Sequence, residues 1–394
     1  MHDLRIRRKV FSLVLACAII LPLAAYADIE ITLKNSFIEK FKNRATIDAS
    51  FTVVKAHKKA NPASKDGDLH AAGQAPEIGL PAVAEVMNAG SEQPTLDLIH
   101  DSERTGQPVQ VRGVWRLWCE HGGDVSFKQF GPFPEPIVNT NPAHVFEVHP
   151  LLKVGDEDLA PSFKPIDGFT YKDADQAFLA YEKLKSHIKP GTSETTITTT
   201  MAGFNYVEFA IRLNEDPTHL LEDGLTVKAA VLNLDGDLLV RERRMVFAEG
   251  TQPFERVKSL HKGDTLHVVG IPRIDLSLLA FRASHPSQPP GILDWSLPYE
   301  MVIVADFGDT PETDETVAAG AAPAGPEGIA APVVRSESDV IESLTRMLNQ
   351  QREGNVNVGA CVFAVGNKMF CAVTTKAECA QIGGAWHVGK ECQQ

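Results

Sequence analysis

The segment VQVRGVWRLW, residues 109–118, constrains the fold of this chain most. Val109, Val111, Trp115 and Leu117 fall on one face of an extended backbone, because side chains alternate along a strand. Gly113 interrupts that face, and a glycine inside a strand marks a bulge or a bend at a barrel corner. HVFEVHP at 144–150 reads as a second strand, and KDGDLH at 65–70 as a third extended segment. Short strands carrying carboxylates and imidazoles predict a small β-barrel. Polar groups in such strands are either satisfied as pairs or form a site.

The flanking sequence fits that architecture. Ser36 and Glu39 form a capping-box pattern, which predicts a short helix to about Asn43. Ile47, Ala49, Phe51 and Val53 alternate with polar residues, the pattern of a half-buried strand. Residues 55–65 are polar loop, Asp66-Gly67 is a turn, and Pro81–Met87 is a strand or short helix. Short strands plus one helix within this span predict an OB-type barrel over 28–152. Residues 171–188 read as helical, from Phe178, Tyr181, Leu184 and Ile188, and fall in a bridge over 153–194. Strands recur over 195–307, with Asp235-Gly236 as a hairpin turn, so a second β-rich domain follows, either barrel or sandwich. The fold class is therefore mainly β, a β-rich α+β chain. Residues 308–335 are rich in Ala, Pro, Gly and acids and read as a tether. A short helix with a Cys-rich module closes the chain over 336–394.

The amino terminus carries a targeting pattern. Arg5, Arg7, Arg8 and Lys9 precede an apolar run from Val10 to Ala25, and Ala25-Tyr26-Ala27 supplies small residues at a cleavage site. This predicts a secretory signal peptide over 1–27, cleaved before Asp28, and a periplasmic or extracellular protein. Cys17 offers a weaker lipoprotein-like alternative. Residues 1–27 hold four basic side chains and one acid, so without them the net charge of −13 becomes −16. Such a chain repels phosphate backbones and anionic lipid surfaces, so nucleic acid is a poor default partner. The sequence holds no second apolar run of spanning length, so stable membrane insertion is not expected. The expected partner is a protein or a small ligand.

Cys361, Cys371, Cys379 and Cys392 crowd the carboxyl terminus. In an oxidising compartment they predict two disulfides stapling a small module, with the connectivity open. Cys119 is left over and reads as a buried small apolar residue.

Two segments resemble known groups. Asp66-Gly67-Asp68-Leu69-His70, Val83-Ala84-Glu85-Val86, Val111-Arg112-Gly113-Val114 and Glu147-Val148-His149-Pro150 together resemble a group of exported bacterial proteins with an OB-like domain. That resemblance covers about residues 45–152 and implies a fold, without an activity. Thr374, Cys379, Gly383, Gly384, Trp386 and Cys392 match a short Cys-rich repeat of exported bacterial proteins, which implies a structural module. Asp66-Gly67-Asp68 is also similar to the start of the thermonuclease DGDT segment. Leu69 replaces its Thr, and the downstream catalytic spacing is missing.

Candidate site residues follow from the period-two spacing. Asp66, Asp68 and His70 share one face if that segment is extended, as do Glu147 and His149. Carboxylates with imidazoles suit a divalent metal such as zinc or manganese. The competing reading makes Asp66-Gly67 a turn and leaves the histidines satisfied by their strand neighbours. Glu120, His121 and His144 read as loop residues at strand ends. Trp115 and Trp118 lie on opposite faces of a regular strand, so Trp118 is a candidate for stacking on a ligand. Arg241, Arg243 and Arg244 form a basic cluster that suits an anion or a solvated strand face, with Arg273 and Arg282 as possible additions. The sequence contains no G-x-S-x-G, H-E-x-x-H, Walker or Rossmann motif. The leading expectation is an exported binding or scaffolding protein. The alternative is a metal-dependent hydrolase, nuclease-like or phosphoesterase, using Asp66, Asp68, His70, Glu85 and His149.

Overall fold

The computed structural model describes residues 28–123, 125–284 and 293–308, with the backbone of three strands between 358 and 388. The expected signal peptide, the tether beyond Gly308, the helix over 336–351 and the side chains of Cys361, Cys371, Cys379 and Cys392 lie outside the described residues.

The first half runs β1 (Asp28–Lys34), α1 (Asn35–Phe41), β2 (Thr46–Ala56), β3 (Leu69–Gln74), β4 (Pro81–Val86), α2 (Gln93–Thr105), β5 (Val109–Leu117), β6 (Ser126–Lys128), β7 (Phe146–Val154) and β8 (Glu157–Asp158). Five of these strands close a barrel in the order β4-β3-β2-β5-β7, sealed by a parallel β4–β7 pair. Ile47, Ala49, Phe51 and Val53 are buried, as their alternation requires. Gly113 lies where β5 is pressed against β7. A Cβ there would stand 2.8 Å from the Pro150 carbonyl oxygen and 3.0 Å from the Leu151 Cα. The register shifts at this point, which is the barrel-corner role expected of a strand glycine. The capping box does not form. Helix α1 begins at Asn35 with Lys34 as an N-cap whose side chain makes no capping bond and pairs with Glu194 instead. The Asn35 side chain instead donates to the Gly191 carbonyl and accepts from the Thr195 hydroxyl.

The second half runs β9 (Lys172–Asp173), α3 (Ala174–Lys183), β10 (Lys185–Pro190), β11 (Glu194–Thr200), β12 (Val207–Leu213), β13 (His219–Leu220), β14 (Gly224–Leu232), β15 (Leu238–Ala248), α4 (Gln252–Val257), β16 (Thr265–Ile274), α5 (Leu276–Ser284), β17 (Leu293–Ser296) and β18 (Tyr299–Gly308). It too closes a barrel, in the order β15-β14-β12-β16-β18, sealed by a parallel β15–β18 pair. The helix expected over 171–188 stops at Lys183. Beyond it Ser186 and Ile188 are buried in alternation with exposed neighbours, and β10 pairs with β11. Strands β17, β10, β11, β1 and β6 form a further sheet. Near the carboxyl terminus β19 (Val358–Val365), β20 (Lys368–Thr375) and β21 (Ala385–Val388) pair in the order β20-β19-β21. Among the described residues no helix is long and apolar enough to cross a membrane.

The two barrels are built alike. In both, a helix joins the third strand to the fourth, and the strand order is that of an OB-like barrel. Val111-x-Gly113-x-x-Arg116 in β5 is answered by Val268-x-Gly270-x-x-Arg273 in β16. Arg116 lies opposite Glu147, and Arg273 opposite Glu300, at the same step of each barrel. A buried apolar layer containing Met87, Val114, Leu152, Val246, Val269, Ile271 and Val302 draws on strands of both barrels.

Candidate functional site

The two arginines of the shared motif meet at the junction between the barrels. Arg116 is fully buried. It donates to Glu147 Oε2 and to Glu120 Oε2, each at 2.6 Å, and through Nε to the Pro272 carbonyl at 3.1 Å. Arg273 returns the contact by donating to the Trp115 carbonyl at 3.1 Å. It also binds Glu300 at 2.7 Å, the Ala45 and Arg44 carbonyls at 3.1 Å, and the face of the Trp115 ring. Each guanidinium therefore reaches the backbone just before the other. A second reciprocal pair lies beside the first. Asp223, just before β14, accepts from the Ala45 and Thr46 amides and the Thr46 hydroxyl. Asp68, just before β3, accepts from the phenol of Tyr206, which immediately precedes β12.

Here the barrels diverge. Tyr206 adopts a left-handed φ of 51°, a costly conformation for a side chain of this size. That placement inserts its hydroxyl between Asp68 Oδ2 at 2.7 Å and His149 Nε2 at 2.8 Å. On the other edge of the imidazole, Nδ1 lies 3.3 Å from both Glu85 Oε2 and Glu147 Oε2. His70 Nε2 approaches Glu85 at 3.6 Å and Asp66 at 4.0 Å, and its ring stacks on His57. Asp68 Oδ1 is buried without a hydrogen-bond partner. On the far side of Glu147, His144 donates from Nδ1 to the Pro142 carbonyl at 2.7 Å and turns Nε2 toward Glu147 Oε1 at 3.2 Å. His121 stacks on the His144 ring. Asp68, Glu85 and His149 each offer one ligand atom within 4.8 Å of the others, as do His121, His144 and Glu147.

Charge sets the protonation of this cluster. Burial alone would push the His149 imidazole down, but Glu85, Asp68 and Glu147 outweigh it and hold the ring up at about 10. Burial lifts the Asp68 carboxyl to about 6 against its bonds to His149 and Tyr206. Burial also disfavours the charge on Glu147, yet the Arg116 guanidinium and the two histidines keep its carboxyl well below the usual range.

The structure thus brings Asp68, His70, Glu147 and His149 into one cluster, with Asp66 at its solvent edge. Asp66 turns the loop, accepting from the Asn61 side chain and the Asp68 amide, while Gly67 takes a positive φ of 71°. Glu85 completes the group. Sequence reasoning missed Tyr206, Arg116 and His144 as members. The V-x-G-x-x-R repeat was the signal available for Arg116; His144 opens the HVFEVHP segment and was read as a strand-end loop residue, and Tyr206 lies in a connection with no pattern around it. Trp118 is buried against the Tyr181 and Tyr299 rings, away from any surface. Arg243 stacks on Tyr299 and pairs with Glu182. Arg244 pairs with Glu300 and Asp275. Arg241 is exposed. Cys119 is a buried thiol, pushed up to about 12 by burial.

The fold and this junction define a tandem OB-like barrel protein. No protein-family model matches the chain, and no curated protein matches it.

The cluster gives stability a sign with pH. With divalent ions chelated, the folded chain holds the His149 proton more tightly than the unfolded chain, whose imidazole titrates near 6.5. The stability this proton contributes is whole below about 6.5 and is lost as pH rises toward about 10. Urea unfolding between pH 6.5 and 9 should show stability falling by up to about 1.4 kcal/mol per pH unit. His149→Val should flatten that slope; an unchanged slope in the variant contradicts the assignment.

Proposed function

We propose that the chain is an exported binding protein in which the second barrel presents the ligand face and the first is locked to it. The observation that carries this reading is a groove of about 410 Å³ on the outer face of β14 and β15, roofed by α5. Lys228, Arg243 and Arg244 bring positive charge to it, Glu242 beside Lys228 and Asp275 beside Arg244 offset part of that charge, and the exposed Phe281 adds aromatic surface. OB folds use the face of their second and third strands, and the loop between the fourth and fifth, to hold extended ligands. Strands β14 and β15 are the second and third of this barrel, and α5 occupies that loop. Cationic and aromatic groups side by side suit a ligand that carries an anionic group next to an apolar one. The strong negative charge of the chain disfavours a nucleic acid. The leader pattern at 1–27 and the resemblance of residues 45–152 to exported OB-like proteins support the compartment.

The hydrolase reading draws on the convergence of Asp68, Glu85, His70, Glu147 and His149. A hydrolytic centre needs a coordination position that substrate can reach. Asp68, Glu85, Glu147 and His149 are all buried, and both ring nitrogens of His149 already face protein groups. The binding reading is therefore preferred.

Titration with anilinonaphthalene sulfonate, an aromatic anion, tests the groove. One saturable site is expected, weakened tenfold or more, about 1.4 kcal/mol, by Lys228→Glu combined with Phe281→Ser. Equal affinity in the variant, or no saturable site in the parent chain, overturns the groove. Export is tested apart from it. Protein recovered from the periplasm or medium should begin at Asp28, and a chain starting at Cys17 or Met1 contradicts the expected processing.

A further inference from the structure

The second barrel provides an internal control for the buried cluster of the first. Aligning Glu147 with Glu300 places His149 on Val302. The parallel pairs Ala84–Val148 and Met245–Met301 then place Glu85 on Val246. The antiparallel pairs His70–Glu85 and Thr226–Val246 place His70 on Thr226, and hence Asp68 on Gly224. Val246 and Val302 are fully buried in the apolar layer between the barrels. The junction is therefore built on one side with valines where the other side buries a carboxylate and an imidazole. The fold itself does not require those charges, and burying them is costly unless they are matched.

Nor are they matched by fixed charge. In the second barrel two guanidiniums, Arg273 and Arg244, stand against two carboxylates, Glu300 and Asp275. In the first barrel Arg116 alone faces Glu147 and Glu120, and Asp68 and Glu85 lie beyond it with imidazoles as their only other counter-charges in the cluster. The reciprocal aspartates show the same imbalance. Both oxygens of Asp223 accept hydrogen bonds, whereas Asp68 Oδ1 accepts none. A carboxylate-rich cluster with an orphaned buried oxygen and a nearby imidazole offers the donor types of a divalent-cation site.

We propose that Asp68, Glu85 and His149 of the first barrel bind one divalent transition-metal ion, of the zinc or manganese class, at the junction with the second barrel. The three ligand atoms lie within 4.8 Å of one another; Glu85 faces Nδ1 and Asp68 faces Nε2 of His149, so binding one ion requires the imidazole or one carboxylate to turn. Tyr206 holds Asp68 from the second barrel, and Arg116 holds Glu147 beside the site, so both barrels orient the ligands. His70 and Asp66 lie at the less buried edge of the cluster. The ion replaces the proton that His149 otherwise carries. Its role is structural, and the assignment stands apart from the groove on the second barrel.

Metal binding to the untagged full chain tests this. After chelation and desalting, titration with zinc and with manganese should give one tight equivalent of at least one of them at pH 7.5. Saturation should raise the thermal midpoint by about 5 °C or more. Glu85→Val with His149→Val installs the residues the second barrel uses at the same places, so the variant should fold and bind no ion. Asp68→Asn, which keeps side-chain volume, provides a second loss of binding if the double variant fails to fold. His144→Gln should leave the ion bound. Absence of a tight equivalent in the parent chain overturns the proposal. So does binding that survives loss of Asp68 or of the Glu85 and His149 pair, and so does binding lost in His144→Gln alone, which would assign the ion to His121, His144 and Glu147.

Discussion

Two buried guanidiniums hold this molecule together, and each depends on the other's barrel. An arginine removed from water must find carboxylates and carbonyls for its donors, or the cost of desolvation is uncompensated. Arg116 finds Glu147 and Glu120 near its own strand, but its Nε has the carbonyl of Pro272 from the second barrel. Arg273 finds Glu300 beside it, but its remaining donors end on Trp115, Ala45 and Arg44 from the first. Separating the barrels strands donors on both sides. The apolar layer around Val114, Ile271 and Val302 excludes water from these bonds and so raises the cost of breaking them. What β5 and β16 encode is therefore half an interface each, as well as a strand.

Built on that common frame, the two barrels have diverged in opposite senses. The first buries unbalanced acids and imidazoles at the junction, where the second has valines. The second instead carries its extra basic residues on the outer face of β15, at the groove under α5. Arg244 serves both regions. It pairs with the buried Glu300 on one side and lines the groove on the other. A ligand that draws Arg244 outward would disturb the charge balance of the junction, which links the groove to the interface through one side chain.

Much of the first barrel was legible in the sequence because β2 alternates between buried and more exposed residues and Gly113 marks the corner of β5. The spacing of Asp68 with His70, and of Glu147 with His149, placed those side chains together because a strand has period two. The second barrel was harder to tell from a sandwich. Strand β18 is buried along most of its length, so it reads as a continuous apolar run whose partners periodicity does not reveal. Leu184 and Ile188 satisfy a helical spacing and a strand spacing equally, which is why β10 was absorbed into the preceding helix. The likeness of the two barrels was visible only as V-x-G-x-x-R and as an aromatic residue before a glutamate, Phe146-Glu147 and Tyr299-Glu300. Neither is long enough to stand out until the registers of Arg116 with Glu147 and Arg273 with Glu300 coincide. Tyr206 had no sequence signature at all. Its position depends on a left-handed backbone and on a partner 138 residues away.

The claim that the barrels form one cooperative unit rests on contacts that cross between them. Native-state hydrogen exchange of the full chain, comparing amides of β5 with those of β16, tests it most directly. Arg273→Met removes a guanidinium that belongs to the second barrel, and breaking a buried pair in this way costs about 3–5 kcal/mol. The account predicts that the variant lowers the opening free energy of the slowest amides in both strands by the same amount. Loss of protection confined to β16, with β5 unchanged, would contradict it.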